Sequence, residues 1–125
     1  MLGNFTINPV LLSKDLSKAK HFYRDLLGLK IVNESDKGLW FRSGDGTLSV
    51  TKSTVGTKDE QTQASWRVDD VRAEVKSLRE RGVKFEKYDN PGFKTDEDGV
   101  ADIGFALTAY IIDPDKNALS ILQLK

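Results

Sequence analysis

Part of this sequence is written twice, and that limits its fold more than any other feature. Asp15, Arg24 and Asp25 recur as Asp70, Arg79 and Glu80 at a constant offset of 55, and Gly28-Leu29-Lys30 recurs as Gly82-Val83-Lys84 at 54. Leu48-Ser49-Val50 recurs as Leu119-Ser120-Ile121 at 71, so the second copy carries 17 additional residues between its helix and its last strand. A repeat of this length marks duplication of one supersecondary unit. The division it predicts is a single domain, 1–125, with one module over about 1–53, a polar connector at 54–62 and a second module over about 63–125. The extra residues fall most simply at 88–104, Tyr88 to Gly104.

Each copy reads as strand, helix and three strands. In the first, Phe5–Leu12 is apolar, with Pro9 pushing it toward a sheet edge. Asp15 then precedes a helix whose stripe is Leu16, Ala19, Tyr23, Leu26 and Leu27, widened by Phe22 and ended by Gly28. Strands are predicted at Leu29–Asn33, Leu39–Arg42 and Thr47–Lys52, with turn residues at Ser43-Gly44-Asp45-Gly46. In the second copy a strand at Ala64–Val68 leads to a helix capped by Asp69 or Asp70. Its stripe is Val71, Val75 and Leu78, and Gly82 ends it. Strands follow at Val83–Tyr88, Phe105–Ile112 and Ala118–Leu124, the last two joined by the turn Asp113–Asn117. One helix covers only one face of a small sheet. Two βαβββ units side by side therefore form a curved, mixed, cup-like sheet of the α+β class, with helices on the outer face and a cleft on the other.

Composition narrows the function classes. The 125 residues contain no cysteine, which excludes disulfides, thiolate metal sites and cysteine nucleophiles. Nineteen basic residues balance nineteen acidic ones, so the basic footprint of nucleic-acid binding is missing. No apolar run approaches the roughly 20 residues of a membrane span. The opening Met1-Leu2-Gly3-Asn4-Phe5 lacks the pattern of a secretory signal, so a cytoplasmic protein is expected.

Three stretches carry a family resemblance. SKDLSKAKHFYRDLLGLKIV resembles the opening of the vicinal oxygen chelate superfamily, which holds glyoxalases, bleomycin resistance proteins and extradiol dioxygenases. WRVDDVRAEVKSLRERGVKF resembles its second-module opening, and DPDKNALSILQ its closing turn and strand. The resemblance implies the duplicated βαβββ cup and a homodimer. In the family's metalloenzymes a metal sits in the cup, and the positions matching its ligands here are Asn8, Ser49, Gln63 and Ser120. Amides and hydroxyls are weak ligands for zinc, iron or nickel, so no metal and no cofactor is expected. These polar residues are left to bond one another, trapped water or a ligand.

Further cup residues follow from alternation. Gln63, Ser65 and Arg67 share a parity, and Arg67 has the planar fork to meet a carboxylate or phosphate, or an acidic residue at the rim. By the family's pattern Tyr110 points into the cup. Trp66 has the opposite parity and belongs under the second helix, whereas Trp40 cannot be assigned a face. His21, the one histidine, lies on the first helix away from the cleft and is read as a surface or interface residue. The acidic run Asp96-Glu97-Asp98 lacks the spacing of a calcium loop and reads as solvated surface. The 88–104 segment is either a lid over the cup or a dimer contact.

The expected function is binding of a small organic molecule, with Asn8, Ser49, Gln63, Ser65, Arg67, Tyr110 and Ser120 as ligand-binding residues. Resistance proteins of the family sequester cationic antibiotics, for which this neutral chain has no general attraction. The alternatives are a lyase, isomerase or dioxygenase of the same superfamily, with unusual metal ligands or none, and a partner-binding domain. No catalytic base is visible among the cup residues.

Overall fold

The computed structural model describes residues 1–54 and 61–125, so residues 55–60 of the expected connector lie outside the described residues. A short 3-10 helix, Leu2–Asn4, precedes β1 (Val10–Ser13). Then come α1 (Leu16–Lys20, running on as a π-helix over His21–Leu26), β2 (Lys30–Ser35), β3 (Gly38–Ser43) and β4 (Gly46–Lys52). The second half contains β5 (Thr62–Arg67), α2 (Val71–Glu80), the two-residue strands β6 (Asp89–Asn90) and β7 (Phe93–Lys94), β8 (Val100–Asp102), β9 (Ala106–Ile112) and β10 (Ala118–Leu124). One four-stranded sheet has the order β1-β4-β3-β2 and the other β5-β10-β9-β8. In each, the first and last strands of the unit pair in parallel and the remaining pairs are antiparallel. The fold is α+β, built from the same unit twice.

The repeated residues do the same work in both copies. Asp15 accepts hydrogen bonds from the backbone N–H of Ser17 and Lys18, and Asp70 accepts them from Arg72 and Ala73. These caps satisfy donors that the first helical turn leaves without partners. Gly28 and Gly82 leave the two helices with φ of 81° and 96°, a conformation that glycine adopts without a Cβ clash.

Two strand expectations need correction. The strand that forms is Val10–Ser13 rather than Phe5–Leu12, and Phe5 and Ile7 are 73% and 88% exposed. Pro9 offers no N–H, so the ladder begins after it, at the pairing of Val10 with Ser49. Val83–Tyr88 is not a strand. Val83 and Phe85 are buried, as alternation requires, but β8 takes the ladder beside β9. Glu86 N–H reaches Tyr110 O at 2.9 Å from outside that ladder. The 88–104 segment thus supplies both a small β6–β7 ribbon and the fourth strand of the second sheet.

Both sheets turn their apolar faces, with the helices, into one shared core. Ala19, Phe22 and Tyr23 of the first helix and Val71, Val75 and Leu78 of the second join Leu11, Phe41, Val50, Ile111 and Leu119 in a single cluster. The opposite, open faces look outward. Among the described residues no helix is long and apolar enough to cross a membrane.

The modules are joined through buried polar groups. Tyr23 Oη donates to Asp113 Oδ2 at 2.7 Å, and Asn117 Nδ2 donates to the same oxygen and to Leu12 O, each at 2.8 Å. Asp113 Oδ1 accepts from the N–H of Asp115 and Asn117. Burial first, and the nearby Asp113 charge second, push the Tyr23 phenol far above its ordinary value of 10.0. The phenol therefore remains a neutral donor. In the unfolded chain it ionises near 10, so the stability that depends on it is fully present below that pH and lost as pH rises above it. Tyr23→Phe is expected to cost about 1.5–3 kcal/mol in urea unfolding at neutral pH. The same substitution flattens the alkaline fall in stability. An unchanged slope above pH 10 would show that Tyr23 does not set it.

Candidate functional site

The open faces repeat a row of side chains. In the second sheet Ser65, Ser120 and Tyr110 stand directly opposite one another on β5, β10 and β9. In the first sheet Val10, Ser49 and Trp40 occupy the matching places on β1, β4 and β3. Directly paired residues on neighbouring strands share a face, so each row presents a serine flanked by an aromatic ring.

The hydroxyls and amides are already engaged. Ser120 is buried and donates to Ser65 Oγ at 2.8 Å. Asn8 Nδ2 donates to Ser49 Oγ at 2.9 Å, and Thr47 Oγ1 donates to Asn8 Oδ1 at 2.7 Å. Gln63 has a different task. The β5–β10 register shifts between Ala118 and Leu119, leaving Gln63 as the extra residue of a bulge, and its Oε1 accepts from Ala118 N–H at 3.2 Å. Arg67 is exposed at the end of β5, opposite Leu122. The structure thus brings together Ser65, Ser120 and Tyr110 on one sheet and Asn8 and Ser49 on the other. The two groups lie on different sheets, and Thr47, which holds Asn8, borders the same pocket as Ser65.

Tyr110 is part of an aromatic cluster that the inserted ribbon completes. Tyr88, Phe93 and Tyr110 meet pairwise with centroids 5.5–5.6 Å apart. Thr95 closes the ribbon by donating its N–H to Tyr88 O at 3.0 Å and accepting from Tyr88 N–H at 2.8 Å. The acidic run is fastened to α2 rather than simply solvated. Arg72 bonds Asp96 at 2.8 Å and Asp98 at 3.3 Å, and Arg79 Nη2 donates to Asp98 O at 2.8 Å. Partial burial opposes ionisation of Asp96, but Arg72 and the N–H groups of Val100 and Asp98 hold its carboxyl below the usual range.

The donor set does not fit a transition metal. Asn8, Ser49, Gln63 and Ser120 bring neutral oxygens and nitrogens that are occupied with one another or with backbone. Among the described residues no group of three or more His, Asp or Glu side chains is placed to hold a metal. His21 is exposed on the first helix and contacts Asp25 at 3.0 Å.

Sequence reasoning missed three participants. Thr47 locks Asn8, Trp40 stands beside Ser49 with 44% exposure, and Phe93 covers Tyr110. The Gly44-Asp45-Gly46 turn fixes the β3–β4 register and would have assigned Trp40 its face. Phe93 is legible only as an apolar residue of the inserted 88–104 segment, with no sign of its contact to Tyr110. Trp66 does lie on the covered face, and its Nε1 donates to Ser43 Oγ at 2.8 Å. Phe93→Leu removes two ring contacts worth ~0.5–1.5 kcal/mol each. It is expected to speed amide exchange at Thr95 while leaving Leu119 and Ile121 protected. Equal acceleration at all three would mean that the ribbon is not a separate unit.

Comparison with known proteins adds the family frame. The model of the Glyoxalase/Bleomycin resistance protein/Dioxygenase superfamily matches residues 6–121. No curated protein matches significantly. A glyoxalase family protein from Bacillus anthracis superposes with a TM-score of 0.75 at 13% identity, covering 97% of this chain and 95% of its own. A bleomycin-binding protein in complex with bleomycin gives 0.73 at 21%, covering 97% and 99%. Lactoylglutathione lyase from Agrobacterium tumefaciens gives 0.64 at 20%, covering 95% and 92%. At these identities the likeness is one of fold.

Proposed function

Since the chain belongs to the glyoxalase/bleomycin resistance protein/dioxygenase superfamily, we propose that it is a cytoplasmic, metal-independent member that binds a small organic molecule. The observation that carries this reading is the Ser65–Ser120–Tyr110 row with its Tyr88–Phe93 wall. Rings supply contact area at little conformational cost, and hydroxyls orient a polar edge. The bleomycin-bound neighbour of the same fold supports a small organic ligand. Neither row contains a carboxylate or imidazole to act as base or metal ligand.

Within one chain the two rows lie on different four-stranded sheets. A homodimer would set the first-sheet face of one copy against the second-sheet face of the other. Val10 and Trp40, 56% and 44% exposed, would then gain cover, and the cup would close between copies. Asn8, Ser49, Gln63 and Arg67 belong to its walls and rim.

The test combines mass, metal content and binding. Sedimentation is expected to give twice the chain mass, and dialysed protein soaked in nickel, zinc, manganese or ferrous iron is expected to retain none stoichiometrically. Metal-free bleomycin, as a probe with extended aromatic character, is expected to saturate with unchanged affinity in EDTA. Tyr110→Ala should weaken it roughly tenfold. A stoichiometric bound metal, or binding that EDTA abolishes, would replace this reading with the metalloenzyme one.

A further inference from the structure

The two modules fill their covered faces unequally. In the first, Tyr23 stands against Phe41 with ring centroids 5.7 Å apart, and Phe22 meets Tyr23 edge-on at 5.0 Å. The offset of 55 puts Leu78 where Tyr23 stands and Ser77 where Phe22 stands. Leu48 pairs with Phe41 and its counterpart Leu119 pairs with Ile111, so Ile111 replaces Phe41. Three rings of the first module are therefore leucine, serine and isoleucine in the second.

A cavity of about 400 Å³ lies there, between the modules. Leu78, Ile111, Ile121, Trp66, Leu27 and Leu29 form its apolar walls. Four polar side chains join them, the cations Lys30 and Arg42 together with Ser43 and the exposed Glu74. Ser43 Oγ accepts from Trp66 Nε1 and keeps its own proton to donate. Glu74 stands at the matching place of the buried Ala19 and brings a carboxylate with no ion pair among the described residues. The size falls in the range of small-molecule sites.

We propose that this cavity is a second ligand site, separate from the open faces, for a single-ring phenol. The first module supplies the template, since there a phenol ring fills the corresponding space and its hydroxyl donates to a carboxylate, Asp113. A phenol guest restores the missing ring in the second module and donates to Glu74 or Ser43. The apolar walls offer contact area to such a ring, and the polar side chains at the mouth orient its hydroxyl.

The probe is p-cresol, with toluene for comparison. p-Cresol is expected to saturate with shifts at the Trp66 indole N–H and the Leu78 and Ile111 methyls. At ten times its dissociation constant it should raise Tm by about 5–6 °C. Toluene should bind roughly tenfold more weakly, because it makes no hydrogen bond to Glu74 or Ser43. Leu78→Phe and, independently, Ile111→Phe fill the space and should abolish these responses, so failure of one variant to fold leaves the other decisive. Shifts confined to Tyr110 and Ser120, no saturation, or undiminished binding in a folded filled variant would overturn the site. Equal affinity for toluene would overturn the phenol assignment.

Discussion

The Asp113 carboxylate is the constraint around which the two halves are arranged. It takes Tyr23 from the first helix, Asn117 from the start of β10 and two backbone N–H groups of its own turn. Asn117 carries the contact on to Leu12 in β1. A buried carboxylate is tolerable only when its lone pairs are used, and here the turn itself supplies three donors while Tyr23 brings the fourth from the other module. Removing one partner leaves a charge with nowhere to go. The junction therefore specifies how the modules meet in a way that apolar packing alone, which tolerates sliding, does not.

Duplication then explains both the regularity and its exceptions. The caps, the terminating glycines and the parallel β1–β4 and β5–β10 pairings are shared. The copies differ where their turns meet the partner module. The Asp113–Asn117 turn receives Tyr23, whereas the Ser43–Gly46 turn receives the Trp66 indole and lies beside Leu78. One interface is filled by the Tyr23 ring and its bond to Asp113, and the other keeps a cavity. Divergence at an inter-module junction costs less than inside a sheet, because no ladder hydrogen bond depends on it.

Much of this was legible because it rests on local rules. Asp15, Asp70, Gly28 and Gly82 act within a few residues of themselves, so their roles follow from residue type and position. Alternation put Ser65 and Arg67 on one face, where they pair with Ser120 and Leu122, and set Trp66 on the covered face. It failed at Val83–Tyr88, where the pattern of burial was right but a later segment, Val100–Asp102, took the ladder. Competition between segments for one strand edge is non-local. The pattern of alternation is also interrupted at Gln63, where a bulge recruits the side-chain oxygen to Ala118 N–H. The Tyr88–Phe93–Tyr110 cluster likewise depends on a ribbon folding back, which no period announces.

The state of the hydroxyls sets what kind of binding the open faces can support. Ser65 with Ser120, and Asn8 with Ser49 and Thr47, satisfy one another before any ligand arrives. A guest that bonds to them must first break those bonds, so the exchange is close to neutral in free energy. Affinity must then come from apolar and ring contact, at about 25 cal/mol per Å² removed from water. Trp40 is still 44% exposed, and Tyr110 is half-buried with its edges already held by Tyr88 and Phe93. The first-sheet face therefore has more uncovered area to offer, and the second more preorganised rings. Joining the two across copies combines uncovered area with rigidity, whereas either face alone supplies only one.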